Sequence, residues 1–198
     1  MAKSDIKLIQ KLRNMTGLGM LDCKKALDEA GGDVENAIEI LRKRGAAIAA
    51  KREGKETSEG LVHSYIHPGG RVGVLVEIGC ETDFVARTDE LKQFAKDLCM
   101  HIAALKPLYR VPEEVDPKFL EHEKDLMREQ LADSGKPDNI VNQIVEGKLK
   151  KLYSEICLFN QQFVKNDQLT IEEVLKELIG KIGENIKIKR FARFEIGA

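Results

Sequence analysis

Apolar positions near the start of the chain recur every three or four residues. Ile6, Ile9 and Leu12 share one face behind Ser4 and Asp5, either of which can cap a helix, and Gly17 and Gly19 interrupt the run. Met20, Cys23, Leu27 and Ala30 resume the helical period as far as Gly31 and Gly32. Asp33 then stands as a cap before Val34, Ala37, Ile38 and Leu41, a third helix that Gly45 is expected to stop. Three short helices over residues 1–45 make a module of marginal size on its own. Residues 46–58 are rich in Ala, Lys, Arg and Glu and read as a linker with some helical character.

From residue 59 the period shortens to two. Leu61 to His67 and Arg71 to Cys80 read as strands joined by the turn Pro68-Gly69-Gly70. Val72, Val74, Val76 and Ile78 lie on one face of the second, with Gly73 and Glu77 opposite. Leu91, Phe94, Ala95, Leu98, Ile102 and Leu105 return to helical spacing. Asp89 and Glu90 favour the start of that helix, and Pro107 closes it. Asp116-Pro117 opens a charged helix carrying Leu120, Leu126, Met127 and Leu131. After Ser134-Gly135-Lys136-Pro137 a second helix carries Ile140, Ile144, Leu152 and Ile156, so residues 116–157 are expected to form an antiparallel helical hairpin that projects as an arm.

Thr170-Ile171-Glu172-Glu173 is a capping box for a helix with Val174, Leu175, Leu178 and Ile182, and Gly183 fits just past its end. The last strand is expected to set Ile186, Ile188, Ala192, Phe194 and Ile196 against Lys187, Lys189, Phe191 and Arg193. Helical and strand segments in this arrangement predict an α+β fold: an N-terminal three-helix module, then a core over 59–198 of short antiparallel sheet packed with helices. No internal repeat is visible.

A chain of 198 residues, 42% hydrophobic and 33% charged, supports a folded core with a heavily solvated surface. The net charge of −1 supplies no global field for nucleic acid. Lys43, Arg44, Lys51, Arg52 and Lys55 form a basic run, better read as a solvated connector than as a phosphate patch. Cys23, Cys80, Cys99 and Cys157 are too widely spaced for a zinc or disulfide framework and read as small buried residues in a reducing compartment. No stretch is apolar enough to span a bilayer and no signal core opens the chain, so the expected location is cytoplasmic.

Several chemistries fail on spacing. His63 and His67 lie four strand positions apart, about 13 Å, too far for one metal. His101 and His122 have no neighbouring groups that make a triad legible. Each Gly-Lys pair (Gly54-Lys55, Gly135-Lys136, Gly147-Lys148, Gly180-Lys181) lacks the Ser or Thr of a phosphate loop. No metal site, cofactor or nucleotide site of the chain's own is expected. One rival reading stays open. Lys187, Lys189, Arg190, Phe191, Arg193 and Phe194 interleave cations with aromatic rings and suit an RNA- or ribosome-binding strand. Its alternatives are a solvated sheet face with Phe194 in the core, or a face that pairs with a second copy.

The segment Cys80-Glu81-Thr82-Asp83-Phe84-Val85-Ala86-Arg87 joins a strand to a helix, and binding residues concentrate on such loops. Taken alone, the segment favours Phe84 packed beneath its own loop with Asp83 capping the next helix, because buried aromatics are commoner. The alternative is a ring presented to a partner's pocket.

Three motifs alter that balance. Thr82-Asp83-Phe84-Val85 resembles the signature of elongation factor Ts, the exchange factor for the GTPase elongation factor Tu. Leu12-Arg13 and Thr16-Gly17-Leu18-Gly19-Met20-Leu21-Asp22-Cys23-Lys24-Lys25-Ala26-Leu27 resemble that family's first motif. Gly183-Glu184-Asn185-Ile186 and Arg190-Phe191-Ala192-Arg193-Phe194-Glu195 resemble its last strand region. The motifs fall in the family's order and span nearly the whole chain.

The resemblance implies a ubiquitin-associated-like N-terminal module and a single core, as in the short bacterial-type members that pair as homodimers. It implies no covalent chemistry. The expected activity is release of GDP from the GDP form of elongation factor Tu, with Phe84 entering a pocket of the partner, Asp83 contacting polar groups beside it, and Thr82 and Val85 holding the loop, so that the partner's Mg²⁺ is displaced. Further contacts are expected from Leu12, Arg13, Thr16, Gly17, Gly19, Met20 and Lys24. Two positions depart from the family pattern: Gln162 stands where Pro is usual, and Ala192 where some short members carry a Cys that links two subunits. A dimer of this chain is therefore expected to be noncovalent, with Phe191 a candidate contact.

Overall fold

The computed structural model describes residues 5–132 and 135–197. The Ser4 alternative for the first cap and the Ser134 position of the expected turn lie outside the described residues. Among those described, the elements are α1 (Ile6–Thr16), α2 (Met20–Glu29), α3 (Val34–Arg52), β1 (Glu59–Ile66), β2 (Val72–Cys80), α4 (Asp83–Ala86), α5 (Asp89–Leu105), α6 (Pro117–Glu129), α7 (Asp138–Ile156), β3 (Gln162–Phe163), β4 (Asn166–Thr170), α8 (Ile171–Ile182) and β5 (Ile186–Glu195). The fold is α+β, as the sequence predicts. One sheet has the strand order β1-β2-β5 and another is the pair β3-β4. By contact the chain divides into two units. The first gathers the chain up to Leu61 with Ile78–Leu91 and Glu173–Ile188; the second gathers Val62–Glu77, Lys92–Glu172 and the chain from Lys189 onward.

In the first unit the three N-terminal helices close on Ile9, Leu12, Cys23, Ala26, Leu27, Ala37 and Leu41. The Asp5 side chain caps α1 by accepting from Lys7 N–H. Gly17 ends it with φ 67°, a left-handed conformation that costs glycine least, and donates its N–H to the Arg13 carbonyl. Asp33 caps α3 by accepting from the N–H groups of Glu35 and Asn36 at 2.8 and 3.0 Å. The expected stop at Gly45 is corrected: α3 runs on to Arg52, and much of the expected linker is helix. Gly45 faces Gly180 of α8 instead, so the small residue serves close helix packing rather than termination.

In the second unit α5 buries Phe94, Ala95, Leu98, Cys99 and Ile102, while β2 turns Val74 and Val76 inward. The turn after β1 is closed by His67 N–H donating to the Val72 carbonyl at 2.9 Å. Asp116 caps α6 through Lys118 N–H at 3.0 Å, as its sequence signal predicts. On α7 the buried residues are Val145 and Leu149, one position beyond the expected face, and α6 buries none. A two-helix hairpin offers each helix one apolar neighbour, so its seam is narrow.

The pair β3-β4 is antiparallel, with Gln162 opposite Thr170 and Phe163 opposite Asn166. It escapes a sequence reading because β3 has two residues and β4 is mostly polar. The expectation for β5 also needs correction. Ile186 and Ile188 are buried, but Phe194 is 67% exposed and Ile196 is exposed with it. Phe191 is half-buried, and Arg193 turns inward to donate to the Ala103 carbonyl at 3.4 and 3.2 Å.

Candidate functional site

The site is built on one turn of helix. Thr82 is extended (φ −127°, ψ 155°) and its hydroxyl oxygen accepts from Val85 N–H, which makes it the cap of α4. Arg87 N–H donates to the Phe84 carbonyl at 3.2 Å, and the Thr88 hydroxyl donates to the Val85 carbonyl at 2.8 Å. The Thr88 oxygen also accepts from Leu91 N–H at the start of α5. Val85 is buried and anchors the turn from below. Phe84, two positions past the cap, is 80% exposed.

Asp83 does not cap α5. It pairs with Arg87 one turn on, carboxylate to guanidinium at 2.9 Å, and both side chains remain open to solvent. An exposed pair of this kind contributes little to stability, so both groups remain available to a partner.

Beneath the turn lies a reciprocal set of hydrogen bonds. Glu184 accepts from Thr82 N–H at 3.1 Å with one oxygen and from the Thr82 hydroxyl at 2.8 Å with the other. Glu81 accepts from Asn185 N–H at 2.6 Å and from the Arg52 guanidinium at 3.3 Å. Buried Asn185 donates its side-chain amide to the carbonyls of Glu53 and Lys55 at 3.2 and 2.7 Å. Cys80 donates its thiol to the Thr82 carbonyl at 3.1 Å. Burial, with Glu184 and Glu59 nearby, pushes that thiol's pKa up and keeps it protonated. Two motifs far apart in sequence thus meet at the root of the Phe84 turn.

The N-terminal candidates divide by exposure. Leu12 is fully buried and belongs to the core. Thr16 is half-buried, with its hydroxyl donating to the Leu12 carbonyl at 2.8 Å. Gly17 and Gly19 shape the α1–α2 loop, as the end of one helix and the cap of the next. Arg13 and Lys24 are exposed, and Met20, read from its spacing as a core position, is 40% exposed. Lys181 Nζ lies 3.0 Å from where a Cβ on Gly17 would stand and 3.7 Å from the Glu90 carboxylate, which ties this loop to the start of α5.

On the basic, aromatic strand Arg193 is drawn inward, whereas Arg190 stays exposed. Arg190 pairs with Glu77 at 2.6 Å and Arg193 with Glu195 at 2.8 Å. In the same unit the long strands expose Val62 and Ile66 on β1, Leu75 on β2 and Phe194 on β5, beside Ser64 and the Arg190–Glu77 pair. Ile66 leans across Gly73, where an added Cβ would meet it at 3.0 Å. Among the described residues no helix is long and apolar enough to cross a membrane.

A sequence profile of the family described as Elongation factor TS matches residues 22–198. Elongation factor Ts of Carboxydothermus hydrogenoformans is 54% identical over 191 residues, covering 96% of this chain and 88% of that protein. Elongation factor Ts of Desulfosudis oleivorans is 53% identical over 190 residues, 96% of each chain. That of Thermotoga petrophila is 54% identical over 190 residues, 96% of this chain and 94% of its own.

Proposed function

This chain belongs to the elongation factor Ts family, and on that premise we propose that it releases GDP from elongation factor Tu by inserting Phe84 into the partner's nucleotide domain and displacing its Mg²⁺. The family's members are nucleotide exchange factors and carry out no covalent chemistry. The observation that supports the wedge is the exposure of Phe84, 80%, on a turn hydrogen-bonded on both sides. A ring left in water has apolar area to bury, and a pinned turn loses little entropy on docking.

Burying one Phe supplies about 1.5–3 kcal/mol, too little alone to loosen a tight nucleotide site. Asp83 adds a polar contact, while Thr82 and Val85 hold the turn. Arg13, Met20 and Lys24 supply side-chain contacts from the N-terminal module, with Thr16, Gly17 and Gly19 setting the loop between them and Leu12 supporting it from the core. The partner needed is elongation factor Tu in its GDP form, which carries a cytoplasmic location with it. Linkage makes the effect reciprocal: a factor that weakens GDP is itself weakened by nucleotide, so GTP binding ejects it and the factor turns over.

The same reading includes a noncovalent homodimer without direct nucleic-acid contacts. The exposed apolar side chains of Val62, Ile66, Leu75 and Phe194 suit a second copy, in place of the Phe191 contact expected from sequence. The inward turn of Arg193 and its pair with Glu195 take one cation of that strand away from phosphate. Release of fluorescent GDP from elongation factor Tu, with and without this protein, tests the activity; unchanged release contradicts it.

A further inference from the structure

We propose that Glu184 is a positioning residue for nucleotide exchange, acting through Thr82 to fix the turn that presents Phe84. The inference rests on the reading of Phe84 as the wedge. Glu184 is 102 positions from Thr82 in sequence, yet its carboxylate takes both of that residue's protons available for hydrogen bonding.

The geometry orders the turn in steps. With the hydroxyl proton donated to Glu184, the lone pairs of Thr82 Oγ1 turn towards Val85 N–H, the bond that caps α4. Donation to a carboxylate also polarises the hydroxyl and strengthens it as an acceptor. The second carboxylate oxygen holds Thr82 N–H, which fixes the backbone on the other side of the same residue. Phe84 follows two residues later on a helix of four, too short to hold its own shape without these bonds.

The neighbouring contacts have a different task. Glu81, Arg52 and Asn185 tie the chain before Thr82 to residues 53–55 and 185, and their bonds stop short of α4. Glu184 reaches the cap residue itself. A carboxylate is well suited to this: it accepts two hydrogen bonds side by side, whereas an amide in its place has one acceptor atom.

The test measures fluorescent-GDP release from elongation factor Tu over a range of factor concentrations, with the full chain and its variants Glu184→Ala, Glu184→Gln, Phe84→Ala and Phe84→Ala/Glu184→Ala. Loss of two hydrogen bonds to a charged group is expected to lower the maximal rate of Glu184→Ala about tenfold at saturating factor. Glu184→Gln, which keeps the shape and one acceptor, should fall between it and wild type. Adding Glu184→Ala to Phe84→Ala should cost little more, because the residue acts through the ring.

A purely structural role shifts the thermal midpoint and the half-saturating concentration but leaves the maximal rate at the wild-type value, and that result overturns the proposal. So does a double variant slower than Phe84→Ala by the full factor, which puts the action of Glu184 elsewhere. If Phe84→Ala releases GDP at the wild-type rate, the wedge fails and the positioning role with it. If Phe84→Ala is slow and both Glu184 variants are fast, the positioning role alone fails.

Discussion

A Cβ on Gly180 would lie 2.5 Å from the Cα of Gly45, so α8 and α3 meet backbone against backbone. The relationship is asymmetric. A Cβ on Gly45 would stand 3.8 Å from the Cα of Gly180, an ordinary contact. Helix propensity alone favours Ala over Gly at both sites by about 1 kcal/mol.

Gly180→Ala is therefore expected to destabilise the protein, because overpacking costs about 1–3 kcal/mol and the obstructing atom is backbone. Gly45→Ala is expected to be neutral or stabilising. Urea unfolding of the two variants checks the contrast; equal midpoints would mean that the helices separate freely.

His101 sets a pH limit. It is buried in the second unit, with Nδ1 accepting from Val164 N–H at 3.2 Å. That bond leaves the proton on Nε2, which donates to Gln161 Oε1 at 2.9 Å. The Gln161 amide in turn donates to the carbonyls of Leu105 and Glu155 at 3.3 and 2.7 Å. Burial holds the pKa of His101 below the ordinary histidine value, against a smaller upward pull from Gln161. In the unfolded chain the ring titrates near 6.5. Between those two values the unfolded state binds more protons, so stability is complete above about pH 6.5 and is lost as pH falls through the folded value. His101→Gln should flatten the dependence in that window, as read from denaturant midpoints at each pH.

The outward strand face makes a prediction about mass. Phe194→Asp adds a charge to an apolar surface and is expected to halve the mass seen by light scattering at micromolar concentration, with GDP exchange assayed alongside. A wild-type protein already at the mass of one chain would remove the dimer.

Much of the fold was legible because its signals are local. Asp5, Asp33 and Asp116 cap where their spacing says they should, and β2 alternates as its valines require. The failures come from partners distant in sequence. Gly45 resembles a helix stop because its reason, Gly180, lies in another helix. Phe194 resembles a core residue until Arg193 is seen to turn inward towards the Ala103 carbonyl. At the candidate site the Thr82–Val85 segment could be found as a motif, and the capping role of Thr82 is its own chemistry. The grip of Glu184 on Thr82 could not be found, since no spacing rule joins residues 102 apart.

The wedge is tested most directly by the rate of fluorescent-GDP release from elongation factor Tu at saturating Phe84→Ala. Removing the ring should slow release at least tenfold relative to wild type, about the equivalent of losing one buried aromatic contact, with circular dichroism unchanged; Asp83→Ala should slow it less. Equal release by Phe84→Ala and the wild-type chain would contradict the account.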